Sequence, residues 1–279
     1  MRLAEIFTSR QGEGLLTATP SVFVRASGCN LRCWFCDTPY TSWQPEGEDW
    51  SVDKIVAEVE RLVSVGWDQR AERAPAHHLE SGGPAAADHR SAAVPALSHR
   101  TATDRQGRPE ARPTIGHVVL TGGEPMLFAE LVPLCERLHA AGLHLTIETA
   151  GTVDLPVICD LMSISPKLAS STPSLEMGGA WSARHERDRH QPAVIRRLMA
   201  DYDYQLKFVI DTPADCEAVE QWLTEFPAAD RSRVLLMPQG IDVAALAAIA
   251  EWLVPYCEQH DFVYCPRKHI EWYGAVRGT

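Results

Sequence analysis

Six short runs of apolar and β-branched residues, separated by stretches of helical character, constrain this chain more than any other feature. They fall at about Val22–Ala26, His117–Thr121, Leu143–Glu148, Leu161–Ser165, Gln205–Ile210 and Val234–Pro238. Helical periodicity appears at about Ser51–Val65, Pro125–Ala141, Pro192–Tyr202, Pro213–Phe226 and Val243–His260. Ser51 precedes its apolar stripe as an N-cap would, and Pro125 and Pro213 suit a first helical turn, where a missing N–H forfeits no bond. Strands alternating with helices imply a parallel sheet, because each helix returns the chain to the edge where it began. The fold class predicted is α/β: an open, partial parallel β/α barrel.

The rhythm breaks from Asp68 to Pro113, a stretch of Ala, Arg, His, Pro, Ser and Gly. Such sequence cannot bury enough apolar surface to offset its ordering entropy, so 68–113 reads as a disordered insertion. It would divide one domain into an N-terminal part, 1–67, and a remainder, 114–279. A partner-binding arm of mixed charge is the functional alternative. A second irregular stretch, Ala169–Gln191, reads as a lid or a long loop. With a formal net charge of −11, the chain lacks the basic surplus by which proteins hold nucleic acid, and a small-molecule substrate is expected. No apolar run approaches the roughly 20 residues of a membrane helix, and the opening Met1-Arg2-Leu3-Ala4-Glu5 lacks a secretory pattern. A cytoplasmic, reducing location is therefore expected, where eight cysteines are poor material for a disulfide framework.

Three of those cysteines crowd into Gly28-Cys29-Asn30-Leu31-Arg32-Cys33-Trp34-Phe35-Cys36-Asp37-Thr38. Thiolates suit iron–sulfur clusters and soft metals. Three ligands on a four-iron cube leave one iron open to a chelating small molecule. A structural zinc site prefers four closed ligands, and the fourth would have to be Asp37 or a distant His. Buried free thiols are common, but not three on one short loop. Cys135, Cys159, Cys216 and Cys257 are scattered and read as core material or incidental, whereas Cys265 lies near the C-terminal motif.

In a β/α barrel, ligand groups gather at the C-terminal strand ends. The cysteine loop follows the first run. Thr121-Gly122-Gly123-Glu124-Pro125 follows the second, Glu148-Thr149 ends the third, Ser165-Pro166-Lys167 the fourth and Met237-Pro238-Gln239-Gly240 the sixth. Glycines there let backbone approach a ligand, and Glu124 suits an ammonium group. Each element also has a bland reading as a turn or helix start.

The Cys-x3-Cys-x2-Cys spacing, with Phe35 before the last cysteine, resembles the signature of the radical S-adenosylmethionine (SAM) superfamily. Gly122-Gly123-Glu124-Pro125 resembles its SAM-binding segment. Gln11-Gly12-Glu13-Gly14, Phe23-Val24-Arg25 and the ending His269-Ile270-Glu271-Trp272-Tyr273-Gly274 narrow the resemblance to the 7-carboxy-7-deazaguanine synthase family of queuosine and deazapurine biosynthesis. That resemblance implies a lyase in which a SAM-derived radical abstracts a hydrogen atom from 6-carboxy-5,6,7,8-tetrahydropterin, the ring contracts, ammonia leaves and SAM is regenerated.

It also implies roles, residue by residue. Cys29, Cys33 and Cys36 would hold a [4Fe–4S] cluster, and Thr38 a Mg²⁺ ion. Gln11, Gly12, Glu13, Arg25, Thr121, His269 and the terminal Thr279 would meet the pterin. Phe35, Gly122, Gly123, Glu124, Ser165, Lys167, Pro238 and Gln239 would meet SAM. An external flavodoxin- or ferredoxin-type reductant and a homodimer are implied too. The chain departs from the family's more usual Gln-x-His by reading Arg267-Lys268-His269. Two alternatives stand beside this reading: a radical SAM activase acting on a partner protein, which would leave Gln11, Glu13 and Arg25 without a role, and a zinc-stabilised binding module.

Overall fold

A computed structural model describes residues 1–66 and 115–279, and the expected insertion at 68–113 lies outside the described residues. All described strands join one nine-stranded sheet. They are β1 (Arg2–Arg10), β2 (Pro20–Ala26), β3 (Glu48–Asp49), β4 (His117–Gly122), β5 (His144–Thr149), β6 (Leu161–Ile164), β7 (Tyr204–Ile210), β8 (Val234–Pro238) and β9 (Val263–Tyr264), in the order β3-β1-β2-β4-β5-β6-β7-β8-β9. From β2 to β9 every neighbouring pair is parallel. The six expected strands form the middle of this sheet. β1 was not foreseen as a strand; it pairs antiparallel with β2, and β3 adds antiparallel to β1.

The helices are α1 (Pro39–Ser42), α2 (Val52–Val65), α3 (Leu131–Ala140), α4 (Leu175–Gly178), α5 (Ala180–Asp188), α6 (Pro192–Asp201), α7 (Pro213–Thr224), α8 (Val243–Gln259) and α9 (Lys268–Tyr273). Ser51 caps α2 by accepting from the Lys54 N–H, and Thr212 and Asp215 form a reciprocal capping box on α7. The helix expected over Pro125–Ala141 is instead a 3₁₀ turn, Pro125–Leu127, followed by α3. The backbone turns extended at Phe128, which ends the first segment. The Ala169–Gln191 stretch holds α4 and α5 rather than bare loop. Among the described residues no helix is long and apolar enough to cross a membrane.

The two faces of the sheet differ. Alternate side chains point to opposite faces of a strand. Val22, Val24, Val118, Leu120, Leu145 and Ile147, followed by Met162, Ile164, Leu206 and Phe208, form one core cluster with α2, α3, α6, α7 and α8 residues such as Ile55, Leu134, Leu198, Val219 and Leu253. The other face is mixed: Leu235, Met237 and Cys265 form a small second apolar cluster, while toward the strand ends Arg25 pairs in register with Thr121, Glu148 with Ser163, and Ser163 with Gln205, with Lys207 one step further along β7. Parallel sheets are usually apolar on both faces. A charged inner face in such a sheet marks a surface that receives a polar ligand.

Candidate active site

The cysteine loop leaves β2 through Gly28, whose φ of +138° favours glycine and whose N–H donates to the Thr41 carbonyl at 2.8 Å. The rest of the loop is held from one side by the stretch expected to be a lid or a long loop. The Arg32 N–H donates to His185 Nδ1 at 3.0 Å, and the Trp34 N–H to the Ser171 carbonyl at 3.2 Å. The Trp34 indole donates to the Ser170 carbonyl at 2.7 Å, and the Arg32 guanidinium lies 3.9 Å from the Trp181 ring centre. Ser171 Oγ donates to the Leu168 carbonyl at 2.6 Å, so His185 Nε2 carries the proton across the 2.9 Å contact to that hydroxyl. His185 is fully buried, and burial pushes its pKa down to about 4, keeping the ring neutral. It was not foreseen; nothing marks it in sequence except its place in the irregular stretch.

Three thiols on one short loop are a donor set that suits an iron–sulfur cluster. Burial pushes the Cys29 and Cys33 thiols up to about 12, so as free thiols they stay protonated. A bound cluster supplies the positive charge that makes thiolates favourable there. Cys36 Sγ lies 3.2 Å from Ser42 Oγ and 3.9 Å from Thr38 Oγ1, so the Thr38 hydroxyl is on the same side of the loop as the Cys36 thiol.

The Gly122-Gly123-Glu124 element serves the cysteine loop first. A Cβ on Gly122 would meet the Ala26 carbonyl oxygen at 2.1 Å, and one on Gly123 the Gly28 carbonyl oxygen at 2.1 Å. The glycines are thus required by backbone packing whatever else they touch. Glu124 is held by the protein's own donors. It is 0 % exposed, and its oxygens accept from the Met126 N–H, the Thr149 hydroxyl and the Ala150 N–H at 2.8 to 3.1 Å. The carboxylate latches the end of β4 to the end of β5, and in this arrangement it does not present itself to a ligand ammonium.

The inner face carries a continuous ionic network. Lys207 Nζ donates to Glu13 Oε2 at 2.6 Å and to Glu148 Oε1 at 3.3 Å, and the Thr121 hydroxyl donates to Glu148 Oε2 at 2.7 Å. Arg267 donates from Nε to Glu13 Oε1 at 3.1 Å, from Nη1 to the Gly240 carbonyl at 2.7 Å, and from Nη2 to Asp37. Burial alone would raise the pKa of Glu13; Lys207, Arg267 and His269 outweigh it and hold the carboxyl well below the usual range. Burial alone would lower that of Lys207, but Glu13 and Glu148 keep it charged. Neither Lys207 nor Arg267 was expected as a site residue.

The C-terminal segment closes over this network. His269 Nδ1 stands 3.8 Å from Glu13 Oε1, and a Cβ on Gly12 would meet His269 at 2.4 Å. The Lys268 N–H donates to the Gly12 carbonyl at 2.9 Å, and the Gly14 N–H to Cys265 Sγ at 3.2 Å. Gln11, expected to face substrate, is buried and donates its amide to Ser21 Oγ at 3.0 Å, so in this structure it braces the turn between β1 and β2.

A second cluster lies at the rim. Glu5 accepts from Arg25 Nε at 2.7 Å, from the Tyr40 hydroxyl at 2.9 Å and from Arg277 Nε at 3.2 Å, while Arg277 also reaches Glu46 at 2.9 Å. Arg25 therefore has a carboxylate partner on the neighbouring strand. Thr279 turns its hydroxyl back to the Val276 carbonyl at 2.7 Å. Lys167 Nζ donates to Ser165 Oγ at 2.6 Å, and the Gln239 N–H donates to the Ile210 carbonyl at 2.8 Å beside Pro238, which is buried in β8. Phe35 lines a cleft of about 260 Å³ with Trp34, Ser170, Val209, Asp211 and Thr212. The cysteine loop, Glu13, Thr121 and His269 thus gather at one end of the sheet.

No known protein-family profile matches the chain. It is 40% identical over 275 residues to the 7-carboxy-7-deazaguanine synthase of Halobacterium salinarum, covering 95% of this chain and 88% of that protein. It is 37% identical over 278 residues to the 7-carboxy-7-deazaguanine synthase of Rhodopirellula baltica, covering 99% and 88%. Among solved structures, QueE from Escherichia coli aligns with a TM-score of 0.59 and 20% identity, covering 96% of this chain and 94% of that one, a likeness of fold.

Proposed function

We infer that this chain, which belongs to the 7-carboxy-7-deazaguanine synthase family, is a radical SAM lyase that converts 6-carboxy-5,6,7,8-tetrahydropterin to 7-carboxy-7-deazaguanine with loss of ammonia. The observation that carries the reading is kinship along nearly the whole chain with proteins of that name. A partner-protein activase and a zinc module are not favoured by it. Cys29, Cys33 and Cys36 would hold the [4Fe–4S] cluster, which with SAM supplies the radical that removes a hydrogen atom from the substrate.

This chain's own residues orient that substrate. Glu13 is held ionised and can only accept hydrogen bonds, which suits the paired N–H groups on the pyrimidine edge of a pterin. Lys207 is the fixed cation that keeps it so. Arg25 is read as the partner of the substrate carboxylate, donating from nitrogens other than Nε, and Thr121 and His269 as further contacts. Trp34, Phe35 and the cleft they line support a SAM site beside the cysteine loop, with Ser165, Lys167 and Gln239 at neighbouring strand ends. Thr38 is read as a Mg²⁺ ligand; a hydroxyl oxygen suits that hard cation, and water and substrate would complete its shell. Residues 1–66 and 115–279 are read as one radical SAM domain, since their strands share a sheet. We add a homodimer, a cytoplasmic location and an external flavodoxin- or ferredoxin-type reductant to the reading.

The test is an anaerobic assay of the reconstituted protein with SAM, reductant, Mg²⁺ and 6-carboxytetrahydropterin, followed by mass spectrometry. 7-Carboxy-7-deazaguanine is the product expected. SAM cleavage with the pterin untouched would overturn the substrate assignment and leave the radical SAM chemistry standing.

A further inference from the structure

Arg267 has three acceptors on three separate segments. Glu13 belongs to the turn between β1 and β2, Asp37 to the cysteine loop, and Gly240 to the end of β8. Glu13 is 254 residues away in sequence and Asp37 is 230. The guanidinium is 6 % exposed and meets all three with different nitrogens of one rigid plane. A lysine, with a single compact ammonium head, cannot address three directions in that way.

Charge alone does not explain it. Lys207 already contributes a buried cation 2.6 Å from Glu13. What Arg267 adds is a fixed geometric relation between Glu13 and Asp37. Asp37 stands between Cys36 and Thr38, so a group that fixes Asp37 also sets the direction of the loop that carries both. We propose that Arg267 is a positioning residue that locks Glu13 and the Cys36-Asp37-Thr38 segment into one frame, so that the substrate is held at a set place relative to the cysteine loop. The proposal rests on the reading of Glu13 as a pterin ligand.

The frame has a consequence that direct contact does not. Disturbing Asp37 should weaken the pterin's hold on Glu13, although Asp37 itself belongs to the cysteine loop and makes no contact with Glu13, because Arg267 loses one of its anchors. Asp37 is 45 % exposed, so Asp37→Asn removes the charge without leaving a cavity. A merely stabilising ion pair would not pass this effect to substrate affinity.

The experiment measures the pterin Kd of the anaerobically reconstituted enzyme by equilibrium dialysis without Mg²⁺, so that Thr38's part does not enter. It is run on the wild type, Glu13→Gln, Arg267→Lys, Asp37→Asn and the Arg267→Lys/Asp37→Asn pair, with iron content and the electron paramagnetic resonance spectrum of the reduced cluster recorded for each. Glu13→Gln and Arg267→Lys should each weaken binding by about tenfold, the scale of one charge-assisted hydrogen bond. Asp37→Asn should weaken it about threefold to tenfold, with iron content unchanged and the resonance response to added pterin altered. The double variant should lose less than the product of its two single losses, because both act through one frame. If Glu13→Gln leaves the Kd unchanged, the reading of Glu13 falls and the proposal with it. If Glu13→Gln weakens binding but Asp37→Asn leaves the Kd within twofold of wild type, or the two single losses simply multiply, the positioning role is overturned while the reading of Glu13 stands. Asp37→Asn keeps the question open to an answer even if Arg267→Lys fails to fold.

Discussion

The molecule carries two ionic clusters on the same face of one sheet, and they differ in depth. In the inner one, Lys207 and Arg267 have only 7 % and 6 % of their side-chain surface exposed around a Glu13 at 16 %. In the rim cluster the outer pair, Arg277 and Glu46, is 44 % and 55 % exposed, while Arg25 and Glu5 beneath it are at 16 % each. Distances are similar, so geometry does not separate them; solvent does. Water screens a rim pair to little net value, whereas an inner pair is a set of charges that cannot be separated without leaving one unpaired in a poorly solvated place. The inner cluster is thus tied to the shape of the site, and the rim cluster mainly fastens the C-terminal segment.

The largest expected effect breaks the inner cluster at its centre. Lys207→Met leaves Glu148 without a cation and Glu13 with Arg267 alone, and should cost about 3–5 kcal/mol of stability, the usual scale for removing one partner of a buried ion pair. Urea unfolding of wild type and variant would measure it, and turnover should be lost with it. A cost under 1 kcal/mol would show that water reaches the inner cluster and that depth is not what divides the two.

A middle-sized effect sharpens the contrast with a buried group kept neutral instead of paired. His185 has its folded pKa depressed by burial to about 4 from the ordinary 6.5. Protons therefore favour the unfolded chain between those values. Stability from this group is fully present above about pH 6.5 and declines as the pH falls toward 4, by an amount on the order of 2–3 kcal/mol. Unfolding measured at pH 7 and at pH 5 should show the decline in wild type and a flatter response in His185→Gln. Glu13 follows the same rule at lower pH: its pKa is depressed as a carboxylate, so its contribution is intact at pH 5 and is lost progressively as the pH falls through the ordinary carboxylate range and below it.

The smallest effect belongs to the rim. Arg277→Ala should cost less than about 1 kcal/mol, and the difference from wild type should shrink further in 1 M salt, where the screening length falls to about 3 Å. Measuring the denaturant midpoint at low and high salt checks it.

Much of this was legible in the sequence, and the failures are physical. The six central strands announce themselves because their residues are buried on the helix-facing side, giving dense apolar runs. β1 was missed because its burial pattern is mostly intermediate, with Ile6 and Phe7 half covered and Glu5 and Arg10 between turns and partners. The cysteine loop was legible from spacing alone. Lys207 had a readable signal, a lysine in the middle of the apolar run Leu206-Lys207-Phe208, which a buried strand tolerates only with a partner. That partner, Glu13, is 194 residues away, and no local pattern reveals it. Arg267 stood in view only as an unusual neighbour of His269. Glu124 and the two glycines before it are read as ligand groups from their strand-end position and their resemblance to a SAM-binding segment, and the structure adds a packing role. Their first duties lie in holding β4, β5 and the cysteine loop together, and these depend on distances that sequence does not carry.

The fit of Gly12 against His269 bears on the order in which the protein is made. The groups that grip the loop from Gly28 to Trp34, from Thr41 through Glu124 and Ser171 to His185, have all been synthesised about eighty residues before Arg267 and His269 appear, an interval of roughly 4–16 s at ordinary translation rates. During that interval the loop for the metal can take its shape while the turn at Gly12 still lies uncovered. The cover over the Gly12 turn is the last piece to arrive, because His269, which packs against it, is made after every group that holds the stretch from Gly28 to Trp34.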